Sequence, residues 1–136
     1  MRGDTMGADV VDRWLEGVQN ADVGSRDVFA DDAVLDATVP GWRFSLRGAE
    51  RIEAQFDHWY ADVGRFEELE RVSLPGGELV RFFLTWKEAG VPHAAHQAHL
   101  LMIRDDRIVA DTMFCGGRWP ASLLAEMEAE ALAHRG

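Results

Sequence analysis

The sequence predicts an α+β domain in which N-terminal helices pack on the concave face of a curved antiparallel sheet, a half-open cone followed by a C-terminal helix. Three observations carry this. Apolar residues recur at helical spacing between Val10 and Val18 and again between Ile52 and Tyr60. From Phe66 to Cys115 the chain reads as strands separated by turn residues, an antiparallel meander. A last helical pattern opens after Pro120. At 136 residues and 47% hydrophobic composition, residues 1–136 make one domain with one continuous core. A sheet this twisted leaves its concave side either filled by side chains or open as a pocket.

Each element has its own signal. Val10, Val11, Trp14, Leu15 and Val18 form one apolar stripe, with Asp9, Asp12, Arg13 and Glu16 opposite. Gly24-Ser25 breaks that pattern, and Val28-Phe29 makes a short turn. Ala33 to Val39 and Trp42 to Leu46 read as strands separated by Pro40-Gly41. Gly48 opens a second helix whose buried face carries Ile52, Phe56, Trp59 and Tyr60, ending before Gly64. Four strands follow, Phe66–Leu74, Glu78–Glu88, His93–Ile103 and Ile108–Cys115. Ala121 to His134 is the closing helix.

Charge and composition exclude several classes of function. A net charge of −10 repels phosphate backbones and anionic head groups, so neither nucleic acid nor a membrane surface is expected as a partner. One cysteine, Cys115, makes neither an internal disulfide nor a thiolate zinc site. With no apolar leader and no run long enough to span a bilayer, a soluble cytoplasmic protein is expected. His93, His96 and His99 step by three along a strand and so alternate faces, which argues against a shared metal. With no Gly-rich phosphate loop either, no cofactor is expected.

Phe-Ala-Asp-Asp-Ala-Val at 29–34, Arg-Gly-Ala-Glu-Arg-Ile at 47–52 and Ile-Arg-Asp-Asp-Arg-Ile-Val at 103–109 follow one another in an order that resembles the SnoaL-like, or nuclear transport factor 2-like, superfamily. The resemblance runs nearly to Trp119. That group holds ketosteroid isomerases, polyketide cyclases, limonene-epoxide hydrolase and dehydratases beside non-catalytic binding proteins, so the fold leaves function open. It implies a site inside the cone. Trp14 stands where ketosteroid isomerases carry a catalytic tyrosine, Phe56 where they carry a supporting one, and His99 where an acid polarises the substrate oxygen. Ala37 falls at or beside their carboxylate base, with Asp36 next to it. These departures remove steroid isomerisation from what the resemblance implies.

Alternation puts Gln97, His99, Leu101 and Ile103 on one face of their strand. A three-residue turn, Arg104-Asp105-Asp106, sets His99 directly opposite Asp111, whereas a two-residue turn sets it opposite Thr112 and breaks the pair. A carboxylate beside an imidazole fixes its tautomer and raises its basicity, leaving the other nitrogen to move a proton. His99 is therefore the candidate base or acid, and Asp111 its orienting partner or the acid itself. A satisfied buried pair is the structural alternative. Asp36 is either a second pocket acid or a solvent-facing strand residue. Trp14, Trp42, Phe44, Phe56, Trp59, Tyr60, Phe82, Trp86 and Met113, with Gln97, are the candidate walls of a site for a flat apolar ligand, the structural alternative being an aromatic core, which such residues more often make.

The expected function is cofactor-independent proton transfer on a small hydrophobic, cyclic or aromatic, oxygenated molecule, by isomerisation, cyclisation or dehydration and hydrolysis. Non-catalytic binding of such a molecule, or an assembly module on the same cone, is the alternative. Ala98, Leu100 and Met102, with Phe83, Ile108, Ala110 and Phe114, would make the outer sheet face too apolar for water. The closing helix from Ala121 is one candidate cover within the chain, and the resemblance implies another, a second copy in a homodimer.

Overall fold

The computed structural model describes the backbone of residues 2–135 and the side chains of residues 9–134. Helix α1 (Arg2–Asn20) buries Val10, Val11, Trp14, Leu15 and Val18, the apolar stripe of its sequence. A single 3₁₀ turn at Val23–Ser25 leads into β1 (Phe29–Val39), which begins earlier than Ala33. The turn Pro40-Gly41, with Gly41 at φ +73°, returns the chain as β2 (Trp42–Arg47). Helix α2 (Ala49–Trp59) buries Ile52 and Phe56. The meander is β3 (Gly64–Leu74), β4 (Gly77–Glu88), β5 (Val91–Arg104) and β6 (Arg107–Cys115), and a short β7 (Trp119–Pro120) precedes α3 (Ala121–Arg135).

The sheet runs β2-β1-β6-β5-β4-β3, with β7 on β5. Its meander is antiparallel throughout, but β1 pairs β6 in parallel, so the sheet is mixed rather than wholly antiparallel. The parallel pair joins the first hairpin to the last meander strand. Helix α1 rests on β3 and β6, and α2 on β1 and β2, covering the concave face. There Val80, Phe82, Leu84, Leu101, Ile108 and Met113 meet the helices in one core.

The β5–β6 hairpin differs from expectation and yet keeps the same faces together. Its turn has two residues, Asp105 (φ +53°) and Asp106 (φ +59°), with Arg104 paired to Arg107. Two positive-φ residues are what a tight primed turn requires, and Asp tolerates that conformation. One strand residue later the register slips: Ile103 pairs Ile108, Met102 pairs Ala110, and Val109 is left over as a bulge. The bulge changes parity, so His99 lies opposite Met113 and not Thr112. It also turns Ile108 into the core, fully buried, which removes that residue from the outer face to which the sequence assigned it.

The rest of the outer face agrees with expectation. Ala98, Leu100, Met102, Phe83 and Ala110 are half-buried there, and Phe114 is 56% exposed. Helix α3 touches β5 and β7 and leaves Leu123, Met127 and Leu132 exposed. Its apolar residues do not share one stripe, so it offers no single apolar face with which to cover the outer sheet. Among the described residues no helix is long and apolar enough to cross a membrane.

Candidate active site

The inward residues of β5 alternate as Ala95, Gln97, His99 and Leu101, and across from them on β6 stand Cys115, Met113 and Asp111. Asp111 pairs with Leu101 rather than with His99, and it reaches His99 diagonally. Both of its carboxylate oxygens lie 3.0 Å from His99 Nδ1. His99 is 0% exposed and Asp111 1%. A buried ionisable group is costly unless paired, and here each satisfies the other. Aromatic rings sheathe the pair: Phe82 stacks on the imidazole at 5.5 Å, and Trp14 and Phe56 meet it edge-on at 4.7 and 6.3 Å.

The second ring nitrogen does not face open space. His99 Nε2 lies 2.9 Å from Gln97 Oε1, and the same oxygen accepts a hydrogen bond from the Tyr60 hydroxyl at 2.5 Å. The Gln97 amide NH2 donates to Cys115 Sγ at 3.4 Å, which fixes the amide's orientation. In that orientation Gln97 Oε1 is an acceptor twice over, and Nε2 must bring a hydrogen for its contact to be a hydrogen bond. Asp111, His99, Gln97 and Tyr60 thus form one polar chain inside an apolar cone.

Helix geometry puts Tyr60 at the end of this chain. Tyr60 caps α2 with a non-helical backbone (φ −106°, ψ +62°), so its side chain leaves the helix face and turns into the cone. Burial, with Cys115 and Asp111 adding to it, holds the phenol well above its ordinary pKa, and Tyr60 therefore stays a hydrogen-bond donor.

The chain opens on a cavity of about 210 Å³ bounded by Val39, Pro40, Trp59, Tyr60, Trp86, Ala95, Gln97, Met113, Cys115, Gly117 and Arg118. Space exists because Ala95 and Gly117 contribute almost no side chain where Trp59 and Trp86 stand as walls. Gly117 sits at φ +126°, and a Cβ there would come within 3.0 Å of the Trp119 indole nitrogen.

Of the residues predicted from sequence, Trp59, Tyr60, Trp86, Gln97 and Met113 therefore line the cavity. His99 and Asp111 lie behind Gln97, and Trp14, Phe56 and Phe82 pack around them. Three residues stand elsewhere, and of these Phe44 packs on Trp59 at 5.9 Å. Asp36 pairs with Thr112 on the outer face and binds Arg43 at 2.8 Å, whose guanidinium holds the carboxyl below the usual carboxylate range. It is the solvent-facing strand residue of the two alternatives. Trp42 stands at the tip of the β1–β2 hairpin, beyond the reach of the helices, and is 67% exposed. Cys115 and Arg118 were not among the predicted wall residues. Cys115 was legible by its two-residue step from Met113, whereas nothing in the local pattern aims Arg118 inward.

No family model matches the chain, and no curated protein matches it. Among solved structures, a nuclear transport factor 2-like protein from Anabaena variabilis ATCC 29413 superposes with a TM-score of 0.71 at 14% identity, over 83% of this chain and 88% of that one. The fold is that of the nuclear transport factor 2-like proteins. Two further structures of this fold are a phenazine biosynthesis-related protein from Pseudomonas aeruginosa (TM-score 0.64, 14% identity, 82% of this chain and 76% of that one) and an LEH-like epoxide hydrolase from M. tuberculosis (TM-score 0.61, 14% identity, 82% and 83%). At these identities the nuclear transport factor 2-like cone is what is shared, and the chemistry of this one rests on its own residues.

Proposed function

We propose that this protein is a cofactor-independent enzyme that moves a proton on a small hydrophobic, cyclic, oxygenated substrate held in the cone. One observation carries the reading: an unbroken polar chain runs from Asp111, a fully buried carboxyl, through His99 and Gln97 to Tyr60 on the cavity wall. Burying four polar side chains in an aromatic core needs compensation, and such a chain with one end on a cavity is the arrangement acid–base work calls for. Trp59 and Trp86 sandwich the ring of the substrate, and Tyr60 and Gln97 meet its oxygen. Gln97 is the movable piece. Once its amide turns aside, His99 Nε2 gives its proton to the substrate oxygen and takes one from the neighbouring carbon, while Asp111 holds the imidazole in place. The likeness in fold to an LEH-like epoxide hydrolase is in keeping with an enzyme.

A second reading, non-catalytic binding, is favoured by one feature: every polar atom of the chain already has a protein partner. Exchange of the α-protons of cyclohexanone with solvent deuterium separates the two. Catalysis predicts exchange about a hundred-fold or more above the rate with His99→Gln, the usual share of general acid–base work. Cyclohexanone that binds yet exchanges no faster with the native protein than with His99→Gln would leave only the binding reading.

Assembly as a homodimer belongs to the same proposal. Leu100, Met102 and Ala98 on the outer face, with Phe114 exposed beside them, make an apolar surface that a second copy covers by two-fold symmetry.

A further inference from the structure

We propose that the ligand of this cavity carries a carboxylate, or an equivalent anionic group, which Arg118 binds at the mouth; the inference rests on the cavity reading above and names the substrate class. Among the described residues, Arg118 is the one charged side chain on the cavity wall, in a chain of net charge −10. Its guanidinium is held in place by a wall residue, Trp86, and by Glu88. It lies over the Trp86 ring at 5.2 Å from the centroid and is ion-paired with Glu88. Glu88 is not part of the wall. Its carboxylate also accepts the Trp86 indole N–H at 3.0 Å and stands 3.6 Å from His93 Nε2. The Glu88 carboxylate thus has three neighbours, Arg118, Trp86 and His93. A guanidinium has five N–H donors in a planar fork, and Glu88 engages one nitrogen of it, Nη2. The other N–H groups of this cavity-lining side chain remain to bind an anion, on a guanidinium already positioned by the Trp86 ring and the ion pair.

The remaining chemistry fixes the rest of the ligand. Tyr60 and Gln97 form a neutral polar end, so an uncharged oxygen belongs there. Size sets the body. A cavity of about 150 Å³ holds benzene, so this one, at about 210 Å³, has room for one ring with a few substituents. The ligand class is a monocyclic acid with a neutral oxygen on its ring end.

The test compares 4-hydroxybenzoate with its uncharged near-isostere 4-hydroxybenzamide, by chemical-shift titration of the Trp86 indole and Gln97 side-chain signals. The native protein should bind the acid about ten-fold or more tightly than the amide, and Arg118→Gln should abolish that preference by weakening the acid far more than the amide. Equal affinities in the native protein, or a preference for the acid that survives Arg118→Gln, would overturn the inference and leave the cavity reading standing. Neither probe moving the Trp86 or Gln97 signals would overturn both.

Discussion

Asp111 and His99 are bonded across β5 and β6 although they are not opposite one another: Asp111 is paired with Leu101, one step along, and spans the diagonal to Nδ1 at 3.0 Å. Met113 stands directly opposite His99, and Phe82 stacks on the imidazole at 5.5 Å. Orientation of the histidine therefore depends on one carboxylate. Asp111→Asn keeps shape and one acceptor, so the fold should persist, whereas any proton-transfer turnover should fall by about ten-fold or more. Asp111→Ala strips the imidazole of its partner and should cost about 3–5 kcal/mol of stability, read by denaturant unfolding. Unchanged turnover in Asp111→Asn would move the chemistry away from this pair.

Tyr60 is the one tyrosine of the chain, which makes its ionisation directly observable in the tyrosinate absorbance. Its pKa is raised by burial in the folded state, so the unfolded chain loses this proton first. Stability from this group is fully present below the ordinary tyrosine pKa of about 10 and declines above it, by at most about 1.4 kcal/mol per pH unit. Tyr60→Phe should be less stable at neutral pH by roughly 1 kcal/mol, the worth of one hydrogen bond. The gap should close as pH rises past the ordinary value. Tyrosinate appearing at its ordinary pKa in the folded protein would contradict the burial of Tyr60 against Gln97.

The order of elements, the inward face of β5 and five of the eleven residues that line the cavity were legible in the sequence because periodicity of two and of 3.6 is set by the backbone alone. The His99–Asp111 pair was legible too, though by a register that does not occur. A three-residue turn and a two-residue turn with a bulge at Val109 give the same parity, and no local signal distinguishes them. Asp36 and Trp42 show a different limit. Both lie in strands, and which face counts, or how far the helices reach along it, depends on β1 pairing with β6 some seventy-five residues away. Arg118 was hidden for a third reason: a loop residue has no period, and only Glu88 and Trp86 aim it.

The outer face offers a test of assembly. Leu100 and Met102 point away from the core and are half-buried by their own neighbours. Leu100→Glu should leave the monomer folded while putting a charge into the proposed dimer contact, and a stable pair should bury about 1,200–2,000 Å² in total. Sedimentation at micromolar concentration should report about twice the chain mass of 15.2 kDa for the native protein and the chain mass for the variant. A native protein sedimenting at the chain mass would exclude the homodimer.

The polar chain that ends on the cavity is the centre of the account, and the affinity of phenol relative to toluene measures it most directly. The two ligands have nearly the same shape and differ by a hydroxyl in place of a methyl group. If Gln97 and Tyr60 receive the oxygen of a ring ligand, the ratio of phenol to toluene affinity should fall by about ten-fold when Gln97 is replaced by Leu, the cost of losing a buried hydrogen-bond partner. The same ratio in the native protein and in Gln97→Leu, with both ligands bound in the cavity, would contradict it.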